Sequence, residues 1–203
     1  FPLVVGHGTY WQGWALASQG QGEEGIARLC HGLAVLRAAG AEQARSWYLA
    51  LLAEAYGKAG QIEEGLTVVA EALAQVDKTE ERFYEAELYR LKGQLTLQQE
   101  NQKSKGKSQK SKIETSPQPL TPSTQAEVEQ EAEGYFLKAI EIAQRQQAKS
   151  LELRAATSLA RLWQQQDKRE EARQLLADIY GWFAEGFDTP DLQEAKTLLE
   201  ELN

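Results

Sequence analysis

Small residues return along this chain at a fixed interval, and that beat limits the possible folds more than any other feature. Glycine or alanine stands at Gly13, Ala53, Gly93 and Ala160, at intervals of 40, 40 and 67 residues. A second series, Gly25, Gly65, Ala132 and Ala172, has intervals of 40, 67 and 40. Together they describe four units of 40 residues, with 27 extra residues between Gly93 and Ala132. Side chains this small are required where two helices cross closely. Glycine inside a helix costs about 1 kcal/mol relative to alanine, and close approach of a neighbouring helix offsets that cost.

Each unit reads as a pair of helices. In the second, Leu49, Leu52, Ala53 and Tyr56 form one apolar stripe, Gly60 breaks the helix, and Leu66, Val69, Ala72 and Leu73 form the next. In the first, the break falls at Gly20 to Gly22, and Ile26, Leu29 and Leu33 follow. In the fourth, Leu159, Leu162 and Trp163 precede a break at Asp167. The Asp167 side chain is expected to cap a helix that starts at Lys168, with Glu170 reaching back. Near the end, Thr189 as cap, Pro190 and Asp191 open a last helix through Leu192, Ala195, Leu198, Leu199 and Leu202, which covers the end of the stack. No alternating apolar run is bounded by turn signals, so strands are not expected. The expected fold is an all-α solenoid of about four helical hairpins in one domain over 1–203, with repeats at about 6–40, 45–78, 82–148 and 150–184 and a capping helix at 190–202.

Between about 98 and 125 the composition turns to lysine, serine, glutamine, threonine and proline, and a disordered loop inserted in the third repeat is expected there. Its five lysines outweigh Glu100 and Glu114 to give +3, which leaves −11 on the rest of a chain whose net charge is −8. So acidic a body repels a phosphate backbone, and nucleic acid is not an expected partner. No apolar run approaches membrane-spanning length, and the single cysteine, Cys30, has no partner in the chain. A reducing compartment, the cytoplasm, is expected. There is no methionine and no signal segment ahead of Phe1-Pro2-Leu3, which reads as a piece of a longer protein.

Candidates for chemistry are few. Gly106-Lys107-Ser108 has Asn101 where a phosphate-binding loop needs glycine, and no strand precedes it. His7 and His31 lack a second ligand at metal spacing, so no metal or cofactor is expected. The pairs Glu23-Glu24, Glu63-Glu64 and Glu170-Glu171 fall where helices begin and complement the helix dipole. Cys30 is expected in the core beside Ile26, Leu29 and Leu33.

Three runs carry a family resemblance: Gly57-Lys58-Ala59-Gly60-Gln61-Ile62-Glu63-Glu64-Gly65, the stretch Glu81-Arg82-Phe83-Tyr84-Glu85-Ala86-Glu87-Leu88-Tyr89-Arg90-Leu91-Lys92-Gly93, and Tyr180-Gly181-Trp182-Phe183-Ala184-Glu185-Gly186-Phe187-Asp188-Thr189. They resemble the C-terminal tetratricopeptide (TPR) region of large bacterial signalling ATPases, many of which also carry adenylate or guanylate cyclase domains. The resemblance implies a right-handed superhelix acting as a non-catalytic, regulatory protein-binding arm. The 40-residue unit exceeds the common repeat length of about 34, so longer helices are expected. In such arrays the first helix of each hairpin lines the concave face, which would place His7, Tyr10, Trp14, Trp47, Glu54, Lys58, Glu87, Arg90, Gln94, Arg154, Arg161 and Gln165 toward a peptide or partner domain.

The tryptophans would take apolar side chains and the arginines carboxylates. The competing reading packs the tryptophans between repeats and pairs the arginines with local glutamates. Two other functions stay open. One is self-association that brings attached catalytic domains together, and the other is a small-ligand sensor, for which no convergent polar pocket is evident.

Overall fold

The computed structural model describes residues 1–41, 43–110 and 122–203. Among them the regular structure is helical throughout: α1 (Pro2–Ser18), α2 (Gly22–Ala38), α3 (Arg45–Lys58), α4 (Ile62–Thr79), α5 (Glu85–Lys110), α6 (Pro122–Arg145), α7 (Lys149–Gln165), α8 (Arg169–Tyr180) and α9 (Pro190–Leu202). The fold class is all-α, built from consecutive antiparallel hairpins. Two compact units result, Phe1–Tyr84 with the hairpins α1–α2 and α3–α4, and Glu85–Asn203 with α5–α6, α7–α8 and α9.

All eight positions of the beat are buried: Gly13, Gly25, Gly65 and Gly93, and Ala53, Ala132, Ala160 and Ala172. Their cause is clearest in the first hairpin. A Cβ on Gly13 would lie 2.6 Å from the backbone N of Leu29 and 2.7 Å from the carbonyl of Gly25, and one on Gly25 would meet the backbone N of Ala17 at 2.6 Å. Gly6 and Gly32, seven residues from Gly13 and Gly25, form a second crossing point, where a Cβ on Gly32 would stand 2.7 Å from the backbone N of Tyr10. The two helices touch backbone to backbone, so no side chain fits between them. At Gly93 the space is taken by the Phe136 ring, 2.7 Å from where a Cβ would be.

The turns follow a second beat of 20. Gly20, Gly40 and Gly60 have φ of +84°, +75° and +77°. In each case the following residue's N–H reaches back to close the helix, as in Gln21 N to Leu16 O, Ala41 N to Leu36 O and Gln61 N to Tyr56 O, all 3.0 Å. This left-handed helix stop favours glycine because a Cβ crowds the carbonyl there. In the second unit Gln147 (φ +55°) and Asp167 (φ +61°) hold the same position, with Ala148 N to Ala143 O at 2.9 Å and Lys168 N to Trp163 O at 2.9 Å. Asp167 therefore stops α7 and does not cap α8. The cap residue of α8 is Lys168, with no side-chain cap bond, and Glu170 pairs with Arg173 at 2.6 Å. Thr189 does hold the cap position of α9, but its hydroxyl donates to the Gly186 carbonyl at 2.7 Å.

The 27 extra residues lie in the α5–α6 connection, where α5 is 26 residues long and α6 24. Helix runs on to Lys110, past the point near 98 where composition alone ends it, in a stretch of glutamine, lysine and glutamate that favours helix intrinsically. The centre of the expected loop, 111–121, lies outside the described residues. In the second unit Phe136, Leu153, Leu159, Leu162, Leu176, Leu192 and Leu198 form the core, and α9 packs on α7 and α8. No described helix is long and apolar enough to cross a membrane.

Candidate docking surface

The first helices of the two hairpins in the first unit bring three tryptophans together. Trp11 lies edge-on to Trp14 with ring centres 6.0 Å apart, and Trp11 meets Trp47 of α3 at 5.4 Å. Trp47 also touches Tyr84 at 6.4 Å, which is followed by Phe83 at 6.0 Å. Helix periodicity explains the grouping, since Trp11 and Trp14 are one turn apart on α1. Burial does not consume the cluster. Trp11 is 39% exposed, Trp14 42% and Phe83 50%, while Trp47 and Tyr84 are half-buried. Exposed rings held rigid by one another match the composition of interface anchors.

Beneath this surface runs a polar seam. Tyr10 is fully buried, its hydroxyl donating to the Tyr48 carbonyl, so it belongs to the core of the hairpin rather than to the surface where the tetratricopeptide alignment puts it. Burial pushes its phenol well above the ordinary tyrosine range, with the neighbouring Tyr48 adding to the shift. His7 Nδ1 lies 2.9 Å from the Tyr48 hydroxyl. Glu54 and Lys58 pair one turn apart on α3 at 2.9 Å. Cys30 is exposed, not buried, because the adjacent Leu29 takes the inward direction of α2. Its sulfur sits 3.7 Å from the Tyr56 hydroxyl.

In the second unit the matching positions carry charge, and they satisfy one another. Glu87 is 1% exposed. Its carboxylate accepts from Arg90 Nε at 2.9 Å and Arg90 Nη2 at 2.7 Å, and Arg154 Nη2 lies 2.9 Å away. Arg90 Nη1 donates to Gln94 Oε1 at 2.8 Å. Arg154 also approaches Asp191 at 4.0 Å, and burial raises the Asp191 carboxyl above its usual range while Arg154 opposes the rise. Arg161 pairs with Glu194 at 3.0 Å, and Gln165 is exposed. Glu87, Arg90, Gln94 and Arg154 thus form one network. The arginines expected to receive a ligand's carboxylates are engaged with the chain's own acids.

Trp11, Phe83 and Tyr84 were not legible from the beat. Forty residues after Trp11 stand Leu51 and then Leu91, core-like residues, so its place in the repeat pattern suggests burial. The sequence signal that does mark it is its spacing of three from Trp14.

A cavity of about 310 Å³ opens in the second unit over Ile140, Leu175 and Ile179. Two carboxylates line it: Glu152 accepts from Gln144 Nε2 at 3.0 Å and from Lys149 Nζ at 2.7 Å, so both of its oxygens are engaged, and Asp178 Oδ1 accepts from Gln174 Nε2 at 2.8 Å. Among the described residues no group of three or more His, Cys, Asp or Glu is placed to hold a metal ion.

No family model matches the chain. An uncharacterized protein of Rhizobium meliloti (strain 1021) is 35% identical over 92 residues, which is 45% of this chain and 9% of that protein, so the chain spans only a small part of the length of the relative it matches. The crystal structure of the nearly identical TPR-like repeats of a kinesin-light-chain-like protein from Podosopora anserina superposes with a TM-score of 0.61 at 17% identity, covering 100% of this chain and 86% of that one. A single-substitution variant of the same repeats gives 0.60 at 18% identity, covering 99% and 93%. The fold is TPR-like.

Proposed function

We infer that this chain is a non-catalytic interaction module that captures a peptide or partner domain on the aromatic face of α1 and α3. The observation that carries the reading is the meeting of Trp11, Trp14 and Trp47, from helices 40 residues apart in register, with two of the rings about 40% exposed. Large rigid rings left in water are costly unless a partner covers them, and aromatic anchors supply most of the energy in many interfaces. Glu54 and Lys58 stand at the next turns of α3 and supply polar contacts at the rim. In the second unit Glu87, Arg90, Gln94, Arg154 and Arg161 are paired with one another or with the chain's own acids, so the reading rests on the first unit.

The attached context belongs to this proposal too: a cytoplasmic regulatory arm of a bacterial signalling ATPase or cyclase. Two observations support it. The three quoted runs resemble the C-terminal region of those proteins, and the Rhizobium meliloti relative is far longer than the part it shares with this chain. A TPR-like fold is itself compatible with a scaffold that has no chemistry of its own.

The test is a peptide-display selection against the whole chain, with winners measured by fluorescence anisotropy. The reading expects winners with aromatic or aliphatic anchors, whose binding weakens at least tenfold in the Trp14→Ala, Trp47→Ala double variant at unchanged helicity. Winners that bind the double variant equally well would remove this face from consideration.

A further inference from the structure

The repeat beat shows where the second unit lacks a side chain. A step of 67 residues relates α5 to α7 and a step of 40 relates α6 to α8, as in Gly93 to Ala160 and Ala132 to Ala172. Buried side chains keep this register: Glu85 and Glu152 are both buried, and Phe136 and Leu176 both belong to the core. In the α5–α6 hairpin the rings of Tyr89 and Tyr135 meet at 6.4 Å, and the Lys138 ammonium lies 4.4 Å from the centre of the Tyr89 ring. The same steps lead from Tyr89, Tyr135 and Lys138 to Ala156, Leu175 and Asp178. The α7–α8 hairpin therefore has a methyl group where its neighbour has a phenol, and a carboxylate where its neighbour has an ammonium.

Ala156, Leu175 and Asp178 all line the cavity of about 310 Å³. The buried Ile140 and Ile179 complete an apolar floor, and the exposed Trp182 ring adds an aromatic wall. Three charges stand around it. Lys149 Nζ binds Glu152 at 2.7 Å and lies 5.8 Å from the centre of the Trp182 ring, so those two charges offset each other within the protein. Asp178 is left over. Its Oδ1 accepts from the neutral Gln174 side chain, and among the described residues no cation pairs with it and Oδ2 has no partner.

We propose that this cavity binds an arylalkylamine, a small molecule whose aromatic ring and ammonium group are joined by a short alkyl chain. The ring takes the space that Tyr89 fills in the neighbouring hairpin, over Ala156 and against Ile140 and Ile179. The ammonium meets Asp178, the residue that replaces Lys138. Burial of the ring supplies the affinity, and the unpaired carboxylate selects the charge. A net charge of −8 on the chain favours a cation further. Ligand cavities begin at about 300 Å³, so the occupant is small, with roughly ten non-hydrogen atoms and a dissociation constant of about 0.1–1 mM. The site is independent of partner capture, which rests on Trp14 and Trp47.

Heteronuclear NMR titration of the 203-residue chain with phenethylamine tests this, because the indole N–H of Trp182 and the backbone amide of Ala156 report on the cavity itself. Saturable shifts are expected at both. Phenethyl alcohol, which has the same shape without the charge, should bind at least threefold more weakly, and the anionic hydrocinnamate more weakly still. Asp178→Asn should bring the affinity for the amine down to that for the alcohol. Ala156→Tyr restores the residue of the neighbouring hairpin and should abolish binding. Ala156→Leu fills less of the space, so it serves where the tyrosine variant fails to fold, and it should weaken binding at least tenfold at unchanged circular dichroism. Three results would each overturn the proposal: no saturable shift at these positions, equal affinity for the amine and the alcohol, or undiminished binding of the amine to a folded Ala156 variant.

Discussion

Replacing Gln147 with glycine should stabilise this protein, although it deletes a side chain and adds no contact. Gln147 sits at φ +55°, the helix stop that Gly20, Gly40 and Gly60 fill elsewhere on the same beat of 20. Holding a side chain in the left-handed region costs about 1–2 kcal/mol per residue. Glycine escapes that cost but loses about 0.5–1 kcal/mol more backbone entropy on folding. The difference leaves a gain of roughly 0.5–1 kcal/mol. With a urea m-value of about 2 kcal/mol/M, the midpoint of the unit that contains α7 should rise by about 0.3–0.5 M at unchanged m. The helix-closing bonds from Ala148 N to Ala143 O and from Gln147 N to Gln144 O survive the change, because both use backbone atoms only. A midpoint that stays put or falls would mean that the left-handed stop carries no strain here, and the explanation of the beat of 20 would fail.

Further predictions follow from the buried polar groups. Glu87→Ala removes the carboxylate shared by Arg90 and Arg154 and should cost about 3–5 kcal/mol, read as a fall in thermal midpoint, whereas Glu194→Ala at the exposed Arg161 pair should cost under about 1 kcal/mol. The phenols give a pH signature: burial raises Tyr10 and Tyr48, and pushes Tyr56 up to about 12. The folded chain therefore holds these protons more tightly than the unfolded one, and stability should decline as pH climbs from 10. Tyr10→Phe should flatten that decline in alkaline denaturation while losing about 1 kcal/mol at pH 7 for the bond to Tyr48. Lys92 lies 4.4 Å from the centre of the Tyr135 ring and Lys138 lies 4.4 Å from that of Tyr89. Lys92→Met should cost about 0.5–1 kcal/mol, seen as a lower urea midpoint.

What could be read from the sequence divides along physical lines. The hairpins, their crossing points and the last helix followed from spacing, because close approach of backbones admits only glycine or alanine and Pro190 can only open a helix. Gly6 and Gly32 were missed because neither is followed by glycine or alanine through all four units: the same steps lead from Gly6 to Ser46, and from Gly32 through Ala72 and Ala139 to Ile179. Asp167 was assigned to the wrong helix because aspartate suits both a cap and a left-handed stop, and only the backbone angle separates the two. On the candidate surface the tetratricopeptide resemblance named Trp14 and Trp47, which stand in the aromatic cluster, and also Tyr10, which is in the core, since a repeat register names equivalent positions without saying which way a ring turns. The charged residues of the second unit could be read as ligand-facing or self-paired, and the geometry around Glu87 favours self-pairing.

The central claim is that glycine in α1 is set by the crossing with α2, and two substitutions in that one helix test it. A Cβ at Gly13 would stand 2.6 Å from a backbone atom of α2, whereas one at Gly8 would have nothing within 4 Å. Urea unfolding of Gly8→Ala and Gly13→Ala should therefore shift in opposite directions, up by about 1 kcal/mol for Gly8 from helix propensity and down by about 1–3 kcal/mol for Gly13 from overpacking. Shifts of the same sign and size at both positions would contradict the account.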